Sequence, residues 1–153
     1  MATDAKTGQQ VFGYHSVGVH HVGSYQVSGF PFITGGFVGT AGGSSEVRVP
    51  FPMITKAVTV IASGSMTGDL RVHFVSTGSS TNVHDYHHYI SLDTDEDAVT
   101  FNVKCKEIYL SSIGNNSATD VGFQMFAELT HIPTSSMFAI TGAGHTDSAF
   151  GTA

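Results

Sequence analysis

Three histidines crowd one short stretch of the chain. His84, His87 and His88 lie in "NVHDYHHYISL", residues 82–92. Imidazole is the commonest protein ligand for metal ions, so such a cluster is the first place to look for a zinc-type site. The element that carries the cluster decides the matter. On a strand, Asp85, His87 and Tyr89 face one way, and His84, Tyr86, His88 and Ile90 the other. His84 and His88 then stand roughly 13 Å apart. One ion with bonds of about 2 Å cannot span that distance. A site would need His73 from a neighbouring strand, or His20 and His21, or copies of one histidine around a symmetry axis. The expectation is no metal and no cofactor. His84 and His88 are read instead as interface residues, and Tyr86, Ile90 and Leu92 as the core side of the strand.

The acidic run "DTDEDA" (93–98) sets Asp93, Asp95 and Asp97 at alternate positions, as at the start of an EF-hand loop. The sixth position is Ala98 where that loop needs Gly, and the twelfth is Lys104 where it needs a bidentate Glu. A solvated hairpin turn is the better reading. Catalytic motifs are absent from the sequence: no G-x-S-x-G and no H-E-x-x-H. "GGFVGTAGG" (35–43) lacks the Gly-Lys-Ser/Thr ending of a phosphate loop. Cys105, the single cysteine, excludes an intrachain disulfide and reads as a small packed residue. Nothing here assembles a reaction, so the chain is expected not to be an enzyme.

The elements around these residues are strands. "KAVTVIAS" (56–63) puts Val58, Val60 and Ala62 on one face. "DLRVHFVS" (69–76) alternates Leu70, Val72 and Phe74 with Arg71, His73 and Val75. "AVTFNV" (98–103) and "DVGFQMFAEL" (120–129) follow the same period of two, and "CKEIYLSS" (105–112) is less regular. That period marks half-buried strands. Gly, Ser, Asn and Asp clusters separate the runs at short intervals. No window carries a helical stripe. The pattern predicts an all-β, antiparallel β-sandwich of jelly-roll type, with a core over 46–132. Residues 1–45 and 133–153 lack the dense aliphatic pattern. Residues 1–45 are expected to be an extended arm lying on neighbouring subunits, with Phe12, Tyr14, His20, His21, Tyr25, Phe30 and Phe32 contributing contacts, and 133–153 an extended segment that is either a docked arm or a flexible terminus.

Composition narrows the partners. Charged residues are 12% of the chain, about half the usual share, and Gly is 18 of 153. So few charges suit a surface partly covered by neighbours. The six Lys and Arg form no cluster, which argues against nucleic acid. No apolar run is long enough for a membrane helix, and "MATDAKTGQQ" does not read as a secretory leader. A soluble protein made in a cytoplasm is expected.

The phrases "HVGSYQVSGFPFITGG", "VRVPFPMITKAVTVIASG", "DLRVHFVS", "FNVKCKEIYLSS" and "GFQMFAELTHIPTSSMFAITGAG" resemble segments of small β-rich virion structural proteins of marine tailed bacteriophages, including cyanophages. The resemblance runs from about residue 21 to about 146. It implies a non-enzymatic capsid decoration, or cement, protein on the capsid exterior: a homotrimer bound to the major capsid protein. The alternative is a tail- or fibre-associated module that recognises a host-surface glycan, with Tyr86 or Tyr89 stacking on the sugar.

Overall fold

The alternating runs become strands because each can bury one row of side chains while its backbone groups pair sideways. The computed structural model describes residues 18–39, 45–63, 68–76, 87–114 and 121–137. Among them are β1 (Phe30–Val38), β2 (Ser45–Pro50), β3 (Met53–Ser63), β4 (Gly68–His73), β5 (Ile90–Leu92), β6 (Ala98–Phe101), β7 (Glu107–Gly114) and β8 (Val121–Pro133). The helical content of these residues is one turn, α1 (Gly23–Gln26), and a 3-10 turn at Thr134–Ser136.

The strands form two four-stranded antiparallel sheets. Sheet I has the order β1-β8-β3-β6 and sheet II the order β2-β7-β4-β5. The protein is an all-β sandwich. Its pairs are nested: β1 with β8, β2 with β7, β3 with β6, and β4 with β5. Segments that are distant in sequence therefore lie side by side in sheet I.

The core lies between the sheets, and the period of two fills it. Val121, Phe123, Met125, Ala127 and Leu129 of β8 are all buried, as are Val58, Val60 and Ala62 of β3. Sheet II answers with Val49, Leu70, Val72, Leu92, Ile108 and Leu110. Each large aliphatic side chain buried this way contributes about 1.5–3 kcal/mol. Thr55 and Cys105 lock the irregular segment between β6 and β7. Thr55 Oγ1 donates to the Val103 carbonyl at 2.7 Å and accepts the Cys105 N–H at 3.0 Å. Cys105 is buried, as expected of a packed thiol, and burial pushes it up to about 11.

Three expectations change. Residues 30–38, assigned from sequence to an arm ending at 45, form a strand of this chain's own sheet, paired with β8 along its whole length. Residues just before it also dock on their own sandwich: Val19 is buried with Ile54, Ile132 and Met137, and Tyr25 packs against them. The acidic segment 93–97 is not a hairpin turn. It crosses from β5 in sheet II to β6 in sheet I, closed by an Asp97 N–H to Thr94 carbonyl bond of 3.1 Å. Finally, of the stretch 82–92 only residues 87–92 are described, and among them the strand covers Ile90–Leu92. His87 has a φ of 57°, a left-handed turn conformation that breaks the alternation there. Leu92 is buried, but Ile90 is exposed.

Candidate interaction surface

The outer face of sheet I exposes large apolar side chains to solvent. Along β1, Phe32 and Val38 turn towards the core, while Pro31, Ile33, Gly35 and Phe37 turn outwards. Ile33 is 77% exposed and Phe37 69%. Register places Ile33 beside Phe126 of β8, and Phe126 beside Thr59 of β3. Phe126 is also exposed. The next row carries Gly35, Gln124, Ile61 and Ala98. Charge is nearly absent: Lys56 and Glu128, one row away, neutralise each other at 3.1 Å. Contiguous exposed apolar residues of this size mark interaction sites more often than isolated ones do.

Sheet II presents the opposite chemistry on its outer face. Arg48 of β2 grips Glu107 of β7 through Nε at 2.7 Å and through Nη2. The Tyr109 hydroxyl donates to the other Glu107 oxygen at 2.9 Å. Burial, reinforced by Glu107, pushes the Tyr109 phenol up to about 12. Its ring stacks on His73, with centroids 6.0 Å apart. His73 Nδ1 lies 2.6 Å from the Val75 carbonyl, so it carries the proton there. In the neutral ring Nε2 then accepts from Ser111 Oγ at 2.9 Å. A serine beside a histidine at this distance is the contact of an activated nucleophile. Here both side chains are buried, and the contact is closed to a substrate.

The sequence-derived residues scatter across these surfaces. His20 and His21 are exposed near α1, with His21 Nδ1 2.9 Å from Ser24 Oγ. Tyr25 is half-buried, its hydroxyl donating to the Val19 carbonyl at 3.1 Å and its ring covered by Lys104. Phe30 is 52% exposed and meets His131 edge-on. Phe32, expected at an interface, faces inwards and meets Phe51 edge-on in the core. His88 is half-buried in the turn before β5. Phe12, Tyr14 and His84 lie outside the described residues. Among the described residues no group of His, Cys, Asp or Glu is placed to hold a metal.

Ile33 and Phe126 were not singled out from sequence. Their signal was present: each is a large apolar residue on the face whose neighbours in the alternation are small or polar. No family model, no curated protein and no solved structure matches this chain.

Proposed function

We propose that this chain is a non-enzymatic structural protein of a virion, and specifically a capsid decoration protein that binds and stabilises the shell of the major capsid protein. The observation that carries this reading is the outer face of sheet I. A sandwich that leaves Ile33, Phe37 and Phe126 open to water has a surface suited to being covered, and burying it adds about 25 cal/mol per Å² before ordering costs. The nested strand pairs and the sheet orders β1-β8-β3-β6 and β2-β7-β4-β5 support a jelly-roll reading of the sandwich, in keeping with the resemblance to phage structural proteins. The low charge of the chain points the same way.

The test is add-back. Shells assembled from the cognate major capsid protein alone are incubated with the purified chain and sedimented. Saturable binding at a fixed ratio, with a rise in the temperature at which the shells disrupt, is the expected result. Shells that sediment without the chain at every concentration would refute the reading. Strong selective binding on a glycan array would favour the tail-module alternative. For that role Tyr89 offers a ring with Arg71 already 4.4 Å above one face.

A further inference from the structure

We infer that β1 is a self-pairing edge, and that two copies of this chain join through it across a two-fold axis. This inference does not depend on the capsid role.

The sandwich has four edge strands among the described residues: β1, β6, β2 and β5. Proteins guard such edges with charge or brevity, because unpaired backbone groups invite another strand. β5 has three residues and β6 four. β2 carries Glu46, Arg48 and a terminal Pro50. β1 has nine residues and no charge, "FPFITGGFV", with Pro31 near its start. Among the described residues it is the one long edge left open, and it borders the apolar face.

The direction of its free backbone groups can be deduced. A side chain at Gly29 would meet the Leu129 carbonyl oxygen at 3.1 Å, and one at Gly35 would meet that of Phe123 at 3.0 Å. Leu129 and Phe123 thus aim their carbonyls at β1, and their register partners Phe30 and Gly36 answer them. Alternation turns the backbone groups of Pro31, Ile33, Gly35 and Phe37 to the free edge. Pro31 has no N–H, which suits an outward position.

A second β1 fits this edge antiparallel, with the two-fold axis at Gly35. Gly35 then pairs with Gly35 of the second copy, and Ile33 with its Phe37. Every free N–H from Ile33 to Phe37 gains a carbonyl partner, and Pro31 falls outside the ladder. Moving the axis to Thr34 brings Pro31 into the ladder, and moving it to Gly36 leaves Ile33 opposite Gly39. The Gly35 register alone sets an aliphatic side chain against an aromatic one on both sides of the axis. On the outer face, Phe126 and Ile33 of one copy then meet Phe37 of the other, where the neighbouring Gly122 leaves room. No like charges approach, since β1 has none.

The area is enough for a weak dimer. At roughly 150–250 Å² for a large apolar side chain, the exposed fractions of Ile33, Phe37 and Phe126 amount to about 400 Å² per copy. With the edge backbone included, the pair buries on the order of 1,000 Å², at the lower end of specific interfaces. The joined sheet would run through eight strands without an open β1.

Sedimentation equilibrium tests this over about 1–500 μM, the range in which a micromolar dimer dissociates. The expected result is a reversible rise from the 16.1 kDa chain to twice that mass. Ile33→Lys and Phe37→Lys each weaken association on the order of thirty-fold or more, with an unchanged far-ultraviolet circular dichroism spectrum, because both side chains are exposed. A mixture of Ile33→Cys and Phe37→Cys chains should form a crosslinked pair faster than either variant alone, which reports the register. A chain that stays monomeric to the highest concentration overturns the inference. So does a trimer, the state implied by the resemblance, and so does a dimer that both lysine variants leave intact. Dimerisation only after removal of residues 1–17 or 138–153 would mean that the chain's own end occupies the edge, and would overturn it as well.

Discussion

Tyr109 makes the stability of this sandwich sensitive to alkali in a way one substitution can isolate. Its phenol is held protonated in the folded chain by burial first, and then by its bond to the Glu107 carboxylate; the folded value is about 12 against 10.0 unfolded. The sign follows from an acid whose folded pKa is raised. Its contribution is complete below pH 10 and is lost as pH climbs through 12. At pH 11 the unfolded phenol is mostly ionised and the folded one mostly neutral, which removes on the order of 1 kcal/mol relative to pH 8. Tyr109→Phe cannot lose that term. At pH 8 the variant should be less stable by about 1.5–3 kcal/mol, the worth of a hydrogen bond to a charged acceptor. At pH 11 that deficit should shrink by about 1 kcal/mol. Urea denaturation of both proteins at the two pH values measures the change, and taking the difference cancels lysines, other tyrosines and Cys105. A deficit that is the same at pH 8 and pH 11 would show that the Glu107 contact and burial do not hold the Tyr109 proton.

Two further substitutions test the packing of sheet I and the segment that Thr55 holds in place. Gly122→Ala places a Cβ 2.3 Å from the Ser63 carbonyl oxygen, so β3 and β8 must part; a loss of about 3 kcal/mol in urea is expected, and a neutral result would mean the strands are not in this register. Thr55→Val removes the buried acceptor of the Cys105 N–H, with an expected cost of about 2 kcal/mol and faster amide hydrogen exchange at Cys105. Unchanged exchange there would show that Thr55 does not pin the segment.

The central strands were legible because their alternation is dense. Each of Val121, Phe123, Met125, Ala127 and Leu129 sits where period two puts it, and so do Val58, Val60 and Ala62. β1 was not, for a physical reason. An edge strand buries one side of its alternation only partly, so it needs few aliphatics, and "FPFITGGFV" has the Gly content of a linker. Its partner β8 lies about ninety positions away, and no local pattern carries such a pairing. The histidine stretch failed differently. Alternation was applied to residues that turn: His87 takes a left-handed conformation that few side chains favour, with His and Asn among the tolerant exceptions. The acidic run between β5 and β6 looked like a hairpin because turn residues announce a reversal without saying which sheet receives the next strand.

The two outer faces explain why β1 is the place where this sandwich should meet another chain. Sheet II spends its polar residues on itself. Glu46 takes a bond from Ser76 at 2.6 Å, Glu107 takes bonds from Arg48 and Tyr109, and His73 is enclosed between Val75 and Ser111. Such a face gains little from a partner, because the hydrogen bonds of Glu46, Glu107 and His73 are already made and breaking them would cost about 1–3 kcal/mol each. On sheet I such side-chain-to-side-chain bonds are confined, among the described outer residues, to the Lys56–Glu128 pair and the Thr59–Thr100 contact. Ile33, Phe37 and Phe126 have only water to lose, and among the described residues no strand pairs with the free edge of β1 beside them. Apolar burial supplies the driving force there, and the strand edge supplies direction. Sheet II alone would give a sandwich content to remain single; sheet I gives it a side on which association lowers the free energy.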